Sequence, residues 1–197
     1  MNGFEKRARH IREKIIGATL RLLQGPDSKQ IRIADIAKAA NVSQVTIYNY
    51  FGSKKSLLRE AFKSYMDKAT DEFAEYLNEN HTLKEKIEHI ILLKKASFRQ
   101  FSPQFFKYMS FDDQELAQYI ENMYRKKTVP LTVRLLQEGK DRGEISAEVS
   151  IEHVLLFMQI YINQYDTILK TAQQNGDLDR FMDGMLHLFF YGICGKP

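Results

Sequence analysis

The run Ile33–Phe51, IADIAKAANVSQVTIYNYF, constrains the fold more tightly than any other part of the chain. Ile36, Ala37, Ala40, Val42, Ile47 and Tyr50 are apolar, small or aromatic, and they fall where two short helices crossing at a tight turn must bury their side chains. Ala37 is small where the second helix has to approach the first. Asn41 occupies the turn, where the backbone needs φ > 0 and Asn tolerates it better than most non-glycine residues. Ser43 follows as an N-cap whose hydroxyl can accept from the backbone N–H of Val45 or Thr46, so the second helix starts at about Gln44. The spacing predicts a helix-turn-helix.

That helix leaves Gln44, Val45, Thr46, Tyr48 and Asn49 free of the core. Gln and Asn pair bidentately with adenine, Thr donates or accepts, and a Val held in water at a helix tip suits a thymine methyl. Double-stranded DNA is therefore the first candidate partner. A coincidental helix pair would show the same pattern, so the charge distribution has to decide. Residues 1–63 hold thirteen Lys and Arg against five acids, a net of +8, whereas the remainder holds sixteen against twenty, a net of −4. A basic first third and an acidic remainder are expected when one domain faces phosphate and the other does not. RNA or a membrane surface would also attract the patch, but neither a stacking sheet nor a Gly-rich clamp is visible. The apolar face of residues 8–23 suits a small core, not a bilayer surface.

With these residues in view, the chain resembles the TetR family of bacterial transcriptional regulators. The family pattern is an Ile-Ala pair, a Gly-Val-Ser turn, a Tyr three residues before Phe, and a Lys opening a long helix; here these are Ile36-Ala37, Asn41-Val42-Ser43, Tyr48, Phe51 and Lys54. The match covers roughly residues 8–60. Asn41 replaces the usual Gly, Tyr50 stands where His is common, and Arg32 stands where a Thr often caps the first helix of the motif. That last departure leaves the helix start without its cap and leaves a phosphate contact to Arg32. The candidate DNA contacts are Arg32, Ser43, Gln44, Val45, Thr46, Tyr48, Asn49, Tyr50 and Lys54.

The chain reads as all-α, with helices at about 5–24, 33–40, 44–50, 54–78, 82–100, 103–109, 114–140, 150–174 and 177–194 and a kink at Pro130. About nine helices is also what the resemblance implies. The first residues make only a small core, so two domains are expected: a three-helix helix-turn-helix domain at 1–53 and a larger helical ligand-binding and dimerisation domain at 54–197. Ser53 caps the fourth helix and puts Lys54 and Lys55 in its first turn, where backbone N–H groups favour a phosphate. With Cys194 as its one cysteine the chain forms no internal disulfide; with no signal segment and no apolar span of membrane length, a cytoplasmic location is expected.

The last two helices carry apolar residues on several faces, more than one core stripe needs. Phe157, Tyr161, Ile168, Met182, Met185, Phe189 and Phe190 are candidates for a homodimer interface, which the resemblance implies as a four-helix contact. A helix buried centrally in a monomer is the alternative. A dimer would set two recognition helices about 34 Å apart for a near-palindromic operator. Phe98, Phe101, Phe105, Tyr108, Met109, Met123, Tyr124, Met158, Tyr161 and Tyr165 suit a pocket for an apolar or aromatic small-molecule effector, as the resemblance implies, or fill a helical core. The expected activity is repression by a dimer that the effector releases from DNA; control by a protein partner and nonspecific nucleic-acid binding are the rivals. No cofactor and no metal are expected, and no enzyme: His10, His81, His89, His153 and His187 are dispersed and no catalytic motif occurs. Asp112, Asp113 and Glu115 read as a solvated acidic loop in preference to a cation site.

Overall fold

A computed structural model of the chain describes residues 2–24, 31–87, 89–90, 93, 101, 113–177, 180–181, 183–185 and 187–189. Among these residues no strand occurs, and the architecture is all-α with the helix-turn-helix at its N-terminal end.

Helix α1 spans Gly3–Leu23 and begins two residues earlier than its apolar spacing suggests. Asn2 is the reason: its side chain accepts from the N–H groups of Phe4 (3.1 Å) and Glu5 (2.8 Å), and the Glu5 carboxylate accepts from the Asn2 N–H (2.9 Å). This reciprocal capping box satisfies donors that a helix start otherwise leaves unpaired. Helices α2 (Ile33–Ala40), α3 (Gln44–Phe51) and α4 (Lys54–Asn78) follow, and residues 83–87 are helical. The helix expected at 103–109 lies outside the described residues, as do parts of those at 82–100 and 177–194.

The long helix expected at 114–140 runs as α5 (Gln114–Met123), a π-helical turn Tyr124–Thr128, and α6 (Val129–Asp141). Pro130 has no N–H to give the carbonyl of Lys126 and crowds it, and the winding widens in the turn ahead of the proline. Helices α7 (Ile151–Asn163) and α8 (Tyr165–Gln174) replace the single helix expected at 150–174. The break is slight: Gln164 still donates to the Ile160 carbonyl (3.0 Å) and accepts from the Ile168 N–H (2.9 Å).

The chain packs into two compact units, residues 1–72 with 96–123 and residues 73–95 with 124–197. The first unit is built on Ile15, Ala18, Ile36, Ala40, Ile47, Leu57, Phe62 and Leu116, all fully buried. The second is built on Leu77, Leu83, Ile87, Leu135, Leu136, Ile145 and Val154. Gly139 of α6 lets elements of that unit close up, since a Cβ there would sit 2.8 Å from Leu83 Cδ2 and 3.0 Å from Ile145 Cδ1. No helix among the described residues is long and apolar enough to cross a membrane.

Candidate DNA-binding surface

Helices α2 and α3 meet at a turn that only a few residues can make. Asn41 takes φ 48°, ψ 54°, the left-handed region, and its N–H bonds the Lys38 carbonyl (3.1 Å) while the Val42 N–H bonds that of Ala37 (3.0 Å). Ile36, Ala37, Ala40 and Ile47 are buried as the spacing requires, and Val42 and Tyr50 are half-buried against the same core. Arg32 has no side-chain acceptor to cap α2. Asp35 supplies the other half of a capping box, its carboxylate accepting from the Arg32 N–H at 2.9 Å.

Ser43 caps α3: its Oγ accepts from the Thr46 N–H at 2.9 Å and lies 2.8 Å from the Thr46 hydroxyl. Ile47 and Phe51 face the core, leaving Gln44, Val45, Tyr48 and Asn49 together on the exposed side of α3. Val45 is 67% exposed and Tyr48 48%, a large apolar area held in water by a rigid capped helix. Thr46 is half-buried with its hydroxyl engaged by Ser43. Arg32 and Lys54 are exposed, and Ser53 caps the start of α4 by accepting from the Ser56 N–H at 3.0 Å. The row Gln44, Val45, Tyr48, Asn49 has the width and chemistry to enter a major groove, with Arg32 and Lys54 as available cations.

Residues 15–61 match the family model for bacterial regulatory proteins of the tetR family, a span that runs from the core of α1 through the helix-turn-helix into α4. The chain is similar along its length to the fatty acid metabolism regulator protein of Bacillus subtilis (strain 168), 27% identical over 197 residues covering 98% of this chain and 99% of that protein. Over residues 15–61 the chain carries the DNA-binding region of the TetR family of bacterial regulators. It is a DNA-binding transcriptional regulator. Its fold is similar to that of the transcriptional regulator FadR from Bacillus subtilis solved in complex with stearoyl-CoA, with a TM-score of 0.60 and 24% identity over 90% of this chain and 96% of that one. It is also similar to that of a transcriptional regulator from Saccharomonospora viridis solved with choline, with a TM-score of 0.73 and 16% identity over 95% and 100%. TetR-family regulators bind DNA, dimerise and bind small molecules.

The residues suited to an effector divide between the two compact units. Phe101 is buried in the first, meeting Tyr65 edge-on at 4.8 Å and Phe62 at 5.8 Å, and Met123 is buried with its sulfur 3.5 Å from the Thr70 hydroxyl. In the second unit Tyr124 is half-buried, Met158 packs against the core, and the Tyr161 hydroxyl donates to the Met185 carbonyl at 3.4 Å. Burial pushes the Tyr161 phenol above its ordinary pKa. Phe98, Phe105, Tyr108 and Met109 lie outside the described residues, as does the side chain of Tyr165.

Of the dimer candidates, Phe157, Tyr161 and Phe189 form one aromatic group. Phe157 stacks on Phe189 at 5.5 Å, and Tyr161 meets both rings edge-on at 5.2 and 5.5 Å. Ile168 and Met185 are half-buried; Met182 and Phe190 lie outside the described residues. Leu156 (63%), Ile160 (50%) and Leu188 (65%), which are not among those candidates, are more exposed than Phe157 at 37%. Their spacing on helices that are apolar all round was the available signal.

The acidic run is not a solvated loop at Asp113. That carboxylate is buried, accepts from Arg59 Nε (3.0 Å) and Nη2 (2.9 Å), and caps α5 by accepting from the Leu116 N–H (3.1 Å). Glu115 bonds Arg59 and also Lys63, the latter at 3.0 Å. Lys55 lies 3.6 Å from Asp113. Burial alone would raise the Asp113 pKa; the Arg59 hydrogen bonds, the Leu116 N–H and the two cations outweigh it and hold the carboxyl below its usual range. Asp112 lies outside the described residues.

Proposed function

We propose that this chain acts in the cytoplasm as a homodimeric repressor that reads a near-palindromic operator through α3 and is released by a small molecule with a long apolar portion. The observation that carries the DNA reading is the exposed row Gln44, Val45, Tyr48, Asn49 on a helix capped at Ser43 and seated by Ile47 and Phe51. Gln44 and Asn49 read adenine edges, Val45 meets a thymine methyl, and Tyr48, Thr46, Tyr50, Arg32 and Lys54 contact phosphate or sugar, with Ser43 fixing the helix start. Residues 1–53 form the DNA-reading part and residues 54–197 the effector-binding and dimerising part.

A fatty acyl thioester is the effector class favoured by the full-length similarity to a fatty acid metabolism regulator and by the similar fold solved with stearoyl-CoA. The candidates described in the first unit, Phe101 and Met123, are a bulky ring and a flexible Met of the kind that accommodates an acyl chain. The exposed Leu156, Ile160 and Leu188 beside the Phe157, Tyr161, Phe189 group support a twofold interface on α7 and residues 183–189, shared with Ile168, Met182, Met185 and Phe190.

The test is selection of bound sequences from a randomised duplex library at moderate salt, followed by titration of the enriched duplex with stearoyl-CoA. An enriched inverted repeat, with affinity lowered about 5- to 150-fold by the thioester, is the expected result. Uniform recovery of the library overturns the operator reading; an enriched repeat whose affinity ignores stearoyl-CoA overturns the effector class alone.

A further inference from the structure

The far end of α3 depends on a residue from another helix. A helix leaves the carbonyls of its last turn without intrahelical partners. Gly52, at φ 72°, ends α3 and gives its N–H to the Tyr48 carbonyl at 2.8 Å. The Tyr50 carbonyl is met by Arg12 of α1, whose Nη1 donates to it at 3.2 Å. The same guanidinium donates from Nη2 to the Glu60 carboxylate of α4 at 2.9 Å, and its Cζ lies 4.7 Å from the centroid of the Phe51 ring. One side chain of α1 thus touches α3 twice and α4 once. A cation at the C-terminal end of a helix also opposes the negative end of its dipole. A flat guanidinium reaches all three partners together, which the point charge of a lysine does not.

We propose that Arg12 is a positioning residue for operator recognition, setting the angle of α3 by tying the Tyr50 carbonyl and the Phe51 ring to Glu60, and not by touching a phosphate. The inference rests on the reading of α3 as the recognition helix. The lever is large for its size: eight residues at 1.5 Å each make α3 roughly 12 Å long, so a tilt of about 10° about one end moves the other by about 2 Å. Base-edge hydrogen bonds do not survive such a shift. Ser43 anchors the end that enters the groove; Arg12 holds the opposite end, and both are needed to define an axis.

The experiment uses the full chain and the duplex that the wild type enriches, with a scrambled duplex of equal length as control. Arg12→Gln, Arg12→Lys, Glu60→Ala and Gln44→Ala are compared over a salt series, with thermal melting in parallel. Arg12→Gln and Glu60→Ala are each expected to weaken binding to the enriched duplex about tenfold or more, as misplaced base contacts do, with scrambled-duplex affinity and salt slope near wild type. Arg12→Lys is expected to recover part of the loss, and its retained charge keeps the measurement available if Arg12→Gln does not fold. Equal losses on both duplexes with a salt slope shallower by about one would make Arg12 a phosphate contact and overturn the proposal. A lowered melting temperature with wild-type affinity for the enriched duplex would make it merely structural, which also overturns it. Gln44→Ala separates the two readings: if it leaves discrimination between the duplexes intact, α3 does not read bases and the functional reading fails whatever Arg12 does.

Discussion

Replacing Asp113 by Asn removes one charge from a buried pair and leaves every neighbour in place. Asp113 is 1% exposed and Arg59 17%, so the interaction is shielded from water on the acid side and largely so on the basic side. The carboxylate takes two hydrogen bonds from Arg59 and one from the Leu116 N–H. Removing one member of a buried pair typically costs about 3 to 5 kcal/mol, because the partner charge is left uncompensated. Glu115 still contacts Arg59, and an Asn oxygen can still cap α5, so the loss belongs at the low end, about 3 kcal/mol. Urea unfolding followed by helicity measures it, with the midpoint lowered and the slope unchanged.

The joint replacement Arg59→Met with Asp113→Leu should recover most of that loss, since an apolar pair carries no desolvation penalty. Acid unfolding supplies an independent check. Asp113 has a lower pKa folded than unfolded, so its stabilisation is present above the unfolded value and is lost as pH falls through the folded one. The wild type should therefore lose this contribution below about pH 4, and Asp113→Asn should lack that part of the pH dependence. A change under about 1 kcal/mol for Asp113→Asn, or a double variant as unstable as the single ones combined, would refute the reasoning.

Three further outcomes follow from local geometry. Asn41→Gly should be close to neutral, while Asn41→Val, forced into the left-handed region at φ 48°, should cost about 1 to 2 kcal/mol in thermal unfolding. Gly139→Ala should destabilise by about 1 to 3 kcal/mol despite the better helix propensity of Ala, because the new methyl meets Leu83 and Ile145 at 3.0 Å or less; an unchanged melting temperature would show that those side chains step aside. Leu156→Asp with Ile160→Asp should shift the sedimentation equilibrium from dimer to monomer with helicity retained, and a dimer that persists would place the interface elsewhere.

The helix-turn-helix was legible because its constraints are local. Asn41 must sit at positive φ, Ser43 must cap the third residue after it, and Ile36, Ala37 and Ile47 must face inward, and each of these is decided within a few residues. The missing side-chain cap at Arg32 is legible for the same reason, and the carboxylate that takes the Arg32 N–H, Asp35, lies only three residues on. The fate of Asp113 was not legible, since its partner Arg59 is 54 residues away and nothing in a run of acids says which one will be buried. In the sequence Arg12 reads only as one more positive charge. Its role depends on Tyr50 and Glu60, 38 and 48 residues along the chain, and on a backbone carbonyl that no sequence pattern marks.

Those two long-range pairs meet on consecutive residues of α4. Neighbouring positions on a helix point about 100° apart, so Arg59 and Glu60 reach different partners: Arg59 the head of α5 through Asp113, and Glu60 the end of α3 through Arg12. Helix α4 is therefore gripped on two sides within two turns of its start, next to the cap at Ser53. Both grips are hydrogen-bonded ion pairs with a guanidinium fork, which fix direction as well as distance. A displacement of α5 that pulls on Asp113 loads Arg59, one residue from the carboxylate that steadies the recognition helix. Arg59→Lys would keep the charge and loosen the direction, so it should leave urea stability nearer to wild type than Asp113→Asn does while weakening discrimination between enriched and scrambled duplexes. Equal stability losses with unchanged discrimination would show that the two grips act separately.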